Sequence, residues 1–259
     1  MIKTETVRCE IKDYIALVTM DRPPVNAIER QLQTDLTVVF DTLSETPEAR
    51  VAVLTGAGKV FCGGADIKAR IDMASQGPGE VWQQSRRARE AFNCILECKI
   101  PVIGALNGPA LGAGLAIAAS CDMLIAAETG CLGLPEINVG LLGGGRHCQR
   151  LFSHSRLRRM MLTGYRVFGP ELHRLGIVEE CVPADKLIER AMALAADVAS
   201  KSPVATRLAK HALNTIEFMT LRDGYRFEQN MTRDLTKSED SREAMRAFVE
   251  KRPPVFTGR

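Results

Sequence analysis

Residues 105–145, ALNGPALGAGLAIAASCDMLIAAETGCLGLPEINVGLLGGG, constrain the fold more than any other part of the chain. A short apolar run passes through Gly108, Pro109, Gly112 and Gly114 into a helix of small residues. An apolar strand follows at 122–127, and then a glycine-bounded loop that holds Pro135 and Glu136. Small residues let backbones approach closely, and the first NH groups of a helix have no intrahelical acceptor, so such a helix begins by aiming them at a ligand. This stretch reads as half of an active site.

The other half lies upstream, where VAVLTGAGKVFCGGADIK at 51–68 reads as a buried strand, a turn and a second glycine-rich loop. FCGGADIK, NGPALGAGLAIAASCD and LPEINVG, in that order, resemble the crotonase, or enoyl-CoA hydratase/isomerase, family. The resemblance extends from RPPVNAI near the start to AFVEKRPPVF near the end. It implies an α/β fold, a crotonase-like spiral of ββα units over residues 1–200 that carries the acyl-CoA site. For residues 201–259 it implies a helical region that packs against neighbouring subunits in a homotrimer or a dimer of trimers. The substrate it implies is an acyl-CoA thioester, with no cofactor beyond the coenzyme A carried by that substrate.

The residues themselves give a compatible outline. Two strands, at 6–12 and 14–21, close on the corner Arg22-Pro23-Pro24, where two prolines end the strand and fix its exit. Leu32, Leu36, Val39, Phe40 and Leu43 recur at three and four, which predicts an amphipathic helix over 29–43. A strand at 51–55, a polar surface turn at 75–79 expected to be mobile and a helix at 81–97 follow. Alternating strands and helices predict a stacked α/β core rather than a sandwich. Beyond residue 145 the chain reads as helices at 146–152, 156–163, 169–175 and 185–200, with one short strand at 177–182. From Pro203, well placed in a first helical turn, it is almost entirely helical.

Several function classes are excluded or disfavoured. A net charge of +3, from 34 basic and 31 acidic residues, is too balanced for nucleic acid, and Arg156, Arg158 and Arg159 read as a solvated helix face. No apolar run approaches the roughly 20 residues that span a bilayer. The N-terminus alternates polar and apolar residues like a strand, not a signal peptide. Eight cysteines in a chain of this length then point to reduced thiols and a cytoplasmic protein. Cys94 and Cys98 lack a second pair for zinc and read as core residues; the four histidines, His147, His154, His173 and His211, have no metal spacing. The glycines fail as nucleotide loops: Ile117 stands where a dinucleotide turn needs a small residue, and Val60 where a phosphate loop needs serine or threonine.

What remains is two loops, each offering a backbone NH, and one carboxylate. Two converging NH donors stabilise the oxygen that becomes negative when a thioester is enolised or attacked. By resemblance the donors are Ala65 and Ala113, with Gly112 before the second, and Glu136 is the catalytic acid/base, oriented by Gly144. The resemblance also assigns coenzyme A contacts to Val25 and Ala27, to Ala65, Asp66, Ile67 and Lys68, and to Phe248 and Lys251, the last two reaching a neighbouring subunit's ligand. Four positions depart from the family pattern. Ala116 stands where the hydratases carry a second glutamate, which leans away from efficient hydration and toward isomerisation or another enolate reaction through one carboxylate. Pro24 replaces a lysine that contacts phosphate. Arg146 and His147 replace glycines beside the Glu136 loop; they either line the acyl pocket, with His147 as a further acid or base, or start a helix and face solvent. A hydratase working with Glu136 alone and an acyl-CoA-binding scaffold without chemistry are the alternatives.

Overall fold

Strand β4 (Val51–Gly56) is buried along its whole length, and it divides the core in two. Side chains alternate across a strand. Ala52 and Leu54 therefore join one apolar cluster while Val51 and Val53 join another on the opposite face. A strand covered on both faces reads as a continuous apolar run, as β4 does.

In the computed structural model, which describes residues 2–67, 69 and 77–259, β4 sits in a seven-stranded sheet. Its order is β1 (Ile2–Lys3), β2 (Val7–Lys12), β3 (Ile15–Met20), β4, β5 (Val102–Leu106), β7 (Met123–Ala127) and β10 (Glu180–Val182). The first three strands pair antiparallel, and every pairing from β3 to β10 is parallel. One face is covered by α1 (Arg30–Glu45) and α2 (Glu80–Leu96), which pack on each other, and by α3 (Ala113–Ser120). Glu29 caps α1, its Oε1 accepting from Gln31 N at 3.0 Å and Leu32 N at 3.3 Å. The Leu32, Leu36, Phe40, Leu43 stripe predicted from spacing is fully buried. The other face is covered by α7 (Leu187–Ala199), through Leu187, Ala191 and Ala195.

A second sheet of three short strands, β6 (Pro109–Leu111), β8 (Cys131–Gly133) and β9 (Arg166–Phe168), was not expected from the sequence. Three residues are too few for a period to register. Around it lie α4 (Gly145–Leu151), α5 (His154–Thr163) and α6 (Gly169–Arg174). The expected strand at 177–182 is only Glu180–Val182, and the helix expected to start at 185 begins as a 3-10 turn, Ala184–Lys186. Of the polar turn expected at 75–79, Ser75 and Gln76 lie outside the described residues.

Helices α8 (Pro203–Ile216), α9 (Leu221–Leu235) and α10 (Glu239–Glu250) follow. One buried cation ties α8 to the core: Lys210 Nζ donates to Ile95 O at 3.0 Å and Ile100 O at 3.1 Å and pairs with Asp122 Oδ2 at 2.8 Å. Large apolar side chains stay exposed on these helices, with Leu221 92% and Phe248 86% exposed.

The arginines read as a solvated face are only partly so. Arg156 pairs with Glu171 at 2.9 Å, and the Arg159 guanidinium lies 3.7 Å from the Tyr165 ring centroid, stacked on it as arginine does on aromatic faces. Cys94 and Cys98 are buried, as expected of core residues. No helix is long and apolar enough to cross a membrane among the described residues.

Candidate active site

Three chain segments run side by side through the small sheet, and each ends at a residue singled out in the sequence. Strands β6 and β8 are parallel, with Ala110 opposite Leu132 and Leu111 opposite Gly133. Cys62 forms a further parallel bridge to Ala110, with Cys62 N donating to Pro109 O at 3.1 Å and Leu111 N to Cys62 O at 2.9 Å. Parallel strands deliver their C-terminal ends to one edge. Three residues beyond Cys62 stands Ala65, three beyond Ala110 stands Ala113, and four beyond Leu132 stands Glu136.

Ala113 opens α3. The first intrahelical bond runs from Ala116 N to Gly112 O at 3.1 Å, which leaves the NH groups of Ala113, Gly114 and Leu115 ahead of the ladder. Gly112, the N-cap, has φ +56° and ψ −114°, a conformation open to glycine alone. Its own NH donates to Gly133 O at 2.9 Å, locking the start of α3 to β8.

Ala65 is held from the opposite side. Gly63 N donates to Val25 O at 2.8 Å, Ile28 N to Gly64 O at 2.7 Å and Asp66 N to Ile28 O at 2.9 Å. Successive NH groups of an extended segment point in opposite directions. The bonds of Gly64 O and Asp66 N to Ile28 therefore turn the Ala65 NH away from Ile28. Gly64, at φ +96°, packs on the approach to α3, where an added Cβ would stand 2.8 Å from Leu111 O and 3.8 Å from Ala113 N. The two NH-bearing turns are thus in contact.

Glu136 sits in a 3-10 turn, Pro135–Val139, reached through the buried Leu134. Its carboxylate lies directly over Gly112, where a Cβ would be 2.8 Å from Cδ and would collide with Oε1. The side chain is half-buried and Oε2 is shielded from solvent. Gly143 and Gly144 close the far side, with the Cβ position of Gly143 3.8 Å from Glu136 Oε1 and that of Gly144 3.3 Å from Gly112 O. Ala65 is exposed and Ala113 half-buried, so the cluster opens to the surface.

Other expected residues fall as follows. Val25 is exposed and Ala27 half-buried, on the segment that holds the Ala65 loop. Asp66 and Ile67 follow Ala65, and Ile67 is exposed; Lys68 lies outside the described residues. Phe248 is exposed on the last turn of α10, and Lys251 caps it at φ +53°. Ala116 is fully buried. Arg146 and His147 begin α4 but divide: Arg146 stacks on Phe218 at 4.6 Å, while the half-buried His147 meets the Phe92 ring edge-on at 5.1 Å. Burial, with the Arg150 and Arg146 charges adding, pushes the His147 imidazole below its ordinary range.

Sequence reasoning passed over Asn26. This buried residue at φ +52° accepts from Arg22 N at 2.9 Å and donates to Val60 O at 2.8 Å and Ala57 O at 3.1 Å, fastening the early corner to the glycine loop. An asparagine just after a double proline was the available signal, since asparagine tolerates the left-handed region.

The enoyl-CoA hydratase/isomerase family model matches residues 10–259. The chain belongs to this family. Among solved structures it is similar to an enoyl-CoA hydratase from Bacillus anthracis, with a TM-score of 0.92 and 31% identity over 98% of this chain and 100% of that one. A Geobacillus kaustophilus enoyl-CoA hydratase subunit gives 0.90 and 33% over 98% and 99%. Among curated relatives, a (7aS)-7a-methyl-1,5-dioxo-2,3,5,6,7,7a-hexahydro-1H-indene-carboxyl-CoA hydrolase of Mycobacterium tuberculosis is 35% identical over 237 residues, 92% of this chain and 95% of its own. The protein is therefore an enzyme of the crotonase fold and family, acting on acyl-CoA. The names of its relatives include both hydratases and a hydrolase.

Proposed function

We propose that the protein forms a thioester enolate held by the NH groups of Ala65 and Ala113, with Glu136 as the single acid/base, and that its reaction is double-bond migration in an enoyl-CoA or a related proton transfer. The observation that carries this reading is the delivery of three parallel segments to one edge, which sets the Glu136 carboxylate over Gly112 beside the first NH of α3. An oxygen accepting there also meets the positive end of the helix. Glu136 is half-buried beside that position, placed to pass a proton to and from carbon as a general acid/base. One carboxylate suffices to take a proton from one carbon and return it to another, whereas water addition is helped by a second. Ala116, fully buried, supplies none.

Hydration is the second reading, favoured by the hydratase names of several similar proteins. Incubation with crotonyl-CoA and with a 3-enoyl-CoA, with products read by mass spectrometry, separates the two. Isomerised product without hydrated product supports the first, and a 3-hydroxyacyl-CoA from crotonyl-CoA supports the second. No turnover in a wide acyl-CoA panel would leave a binding scaffold. Glu136→Gln should lower kcat by about 10²-fold or more, the usual contribution of a placed acid/base, with acyl-CoA affinity retained. Unchanged turnover would remove Glu136 from the mechanism.

The same reading carries no cofactor beyond the substrate's coenzyme A, whose nucleotide would lie along Val25–Ala27, Ala65–Lys68 and a neighbouring subunit's Phe248 and Lys251. It also places the exposed side chains Leu221, Phe248 and Val249 of α9 and α10 in the contact between copies of a homotrimer or dimer of trimers, since large apolar side chains gain by burial against a neighbour. Light scattering on the purified protein tests this, and a monomer at micromolar concentration would refute it.

A further inference from the structure

Arg22 leaves the end of β3 at the double-proline corner, and its guanidinium reaches two chain segments far apart in sequence. Nη1 donates to Ala27 O at 3.2 Å, Nη2 pairs with Asp66 Oδ2 at 3.0 Å, and Nε lies 3.5 Å from Glu29 Oε1, the oxygen that caps α1. Asp66 directly follows Ala65, and its other oxygen accepts from Ala69 N at 3.3 Å. The peptides on both sides of Ala65 are bonded to Ile28, between Ala27 and Glu29. One planar fork therefore grips both borders of the backbone ladder that turns the Ala65 NH.

We infer that Arg22 is a positioning residue for the oxyanion site: it clamps segment 27–29 to segment 64–66 and so fixes the direction of the Ala65 NH. This rests on the proposed reading of Ala65 as an oxyanion donor. The pair is partly open to solvent, with side-chain exposures of 28% and 22%, and such pairs add little to global stability. Its effect lies in geometry, where a misdirected donor loses most of its hold on a developing charge. Lysine cannot reproduce a contact made through three nitrogens in one plane.

A conjugated aryl-enoyl-CoA whose absorption shifts to the red when its carbonyl is polarised reports the hole directly. Wild type, Arg22→Met, Arg22→Lys and Asp66→Asn are compared for bound red-shift, probe dissociation constant, kcat on the best substrate of the panel, and urea midpoint. Arg22→Met and Asp66→Asn should each lose about half or more of the red-shift at saturating probe and lower kcat by about tenfold to a hundredfold, with the urea midpoint little changed. Arg22→Lys should fall between them and wild type. A full red-shift with wild-type kcat in both variants overturns the role of Arg22, as does a kcat loss that merely follows the unfolded fraction. A wild-type enzyme that turns the panel over yet leaves the probe unshifted overturns the donor reading itself, and the Arg22 inference with it.

Discussion

Gly112→Ala separates the geometry of the site from the stability of the fold. The new Cβ would stand 2.8 Å from Glu136 Cδ, and carbons approach no closer than about 3.5–4.0 Å without repulsion, so something must move by about 1 Å. The partner is the end of a flexible side chain, so the carboxylate yields rather than the backbone. A displacement of that size at a reacting group costs about a hundredfold in rate, or about 2.7 kcal/mol at 1.36 kcal/mol per decade. An alanine at φ +56° and ψ −114° adds about 1–3 kcal/mol of backbone strain. The expected outcome is a folded protein, with a somewhat lower urea midpoint, that binds acyl-CoA but turns over about a hundredfold more slowly per folded molecule. The control is Gly104→Ala in β5, where the added Cβ meets Leu124 Cδ2 at 2.6 Å and Cys121 Sγ at 3.2 Å, away from Glu136. That change should lower stability by about 1–3 kcal/mol through overpacking and leave kcat per folded molecule intact. Should Gly112→Ala retain kcat within about threefold of wild type, a carboxylate poised over α3 is not what limits turnover.

Lys210→Met removes the cation that holds Ile95 O, Ile100 O and Asp122, and leaving the two buried carbonyls without a donor costs about 1–3 kcal/mol each. Urea unfolding reads it directly, and an unchanged midpoint would show that the Lys210 contacts add nothing to the hold on α8. The buried thiols make stability depend on alkaline pH. Burial pushes Cys62, Cys94 and Cys148 up to about 12, with the Glu136 charge adding at Cys148. The folded chain therefore keeps protons that an unfolded thiol gives up above its ordinary value of 9.0. The stabilisation is complete below that value and is lost as pH rises toward 12. The urea midpoint should fall across this window, and Cys62→Ala should flatten the fall; equal slopes in wild type and variant would refute the assignment.

Much of the chain was legible before any coordinates. The stripe of α1, the apolar run of β4 and the small-residue start of α3 follow from period and composition, because burial on one face or two dictates a local spacing. The three motifs that carry the family resemblance are likewise local strings, and their order sufficed to place the chain in its family. Ala65, Ala113 and Glu136 were named from them, but nothing in the strings says that they meet. That was decided by the register of β6 on β8 and by the Cys62–Ala110 bridge, pairings between strands too short to show a period. Lys210 and Arg22 make the same point. Lys210 sits on a helix face among ordinary polar residues, yet the fold buries it against two carbonyls and Asp122. Arg22 and Asp66 are separated by 44 positions, a distance over which no periodicity acts. Local sequence fixes which backbone a segment prefers; which polar groups end up facing one another is set only when the sheet chooses its register and the core closes around it.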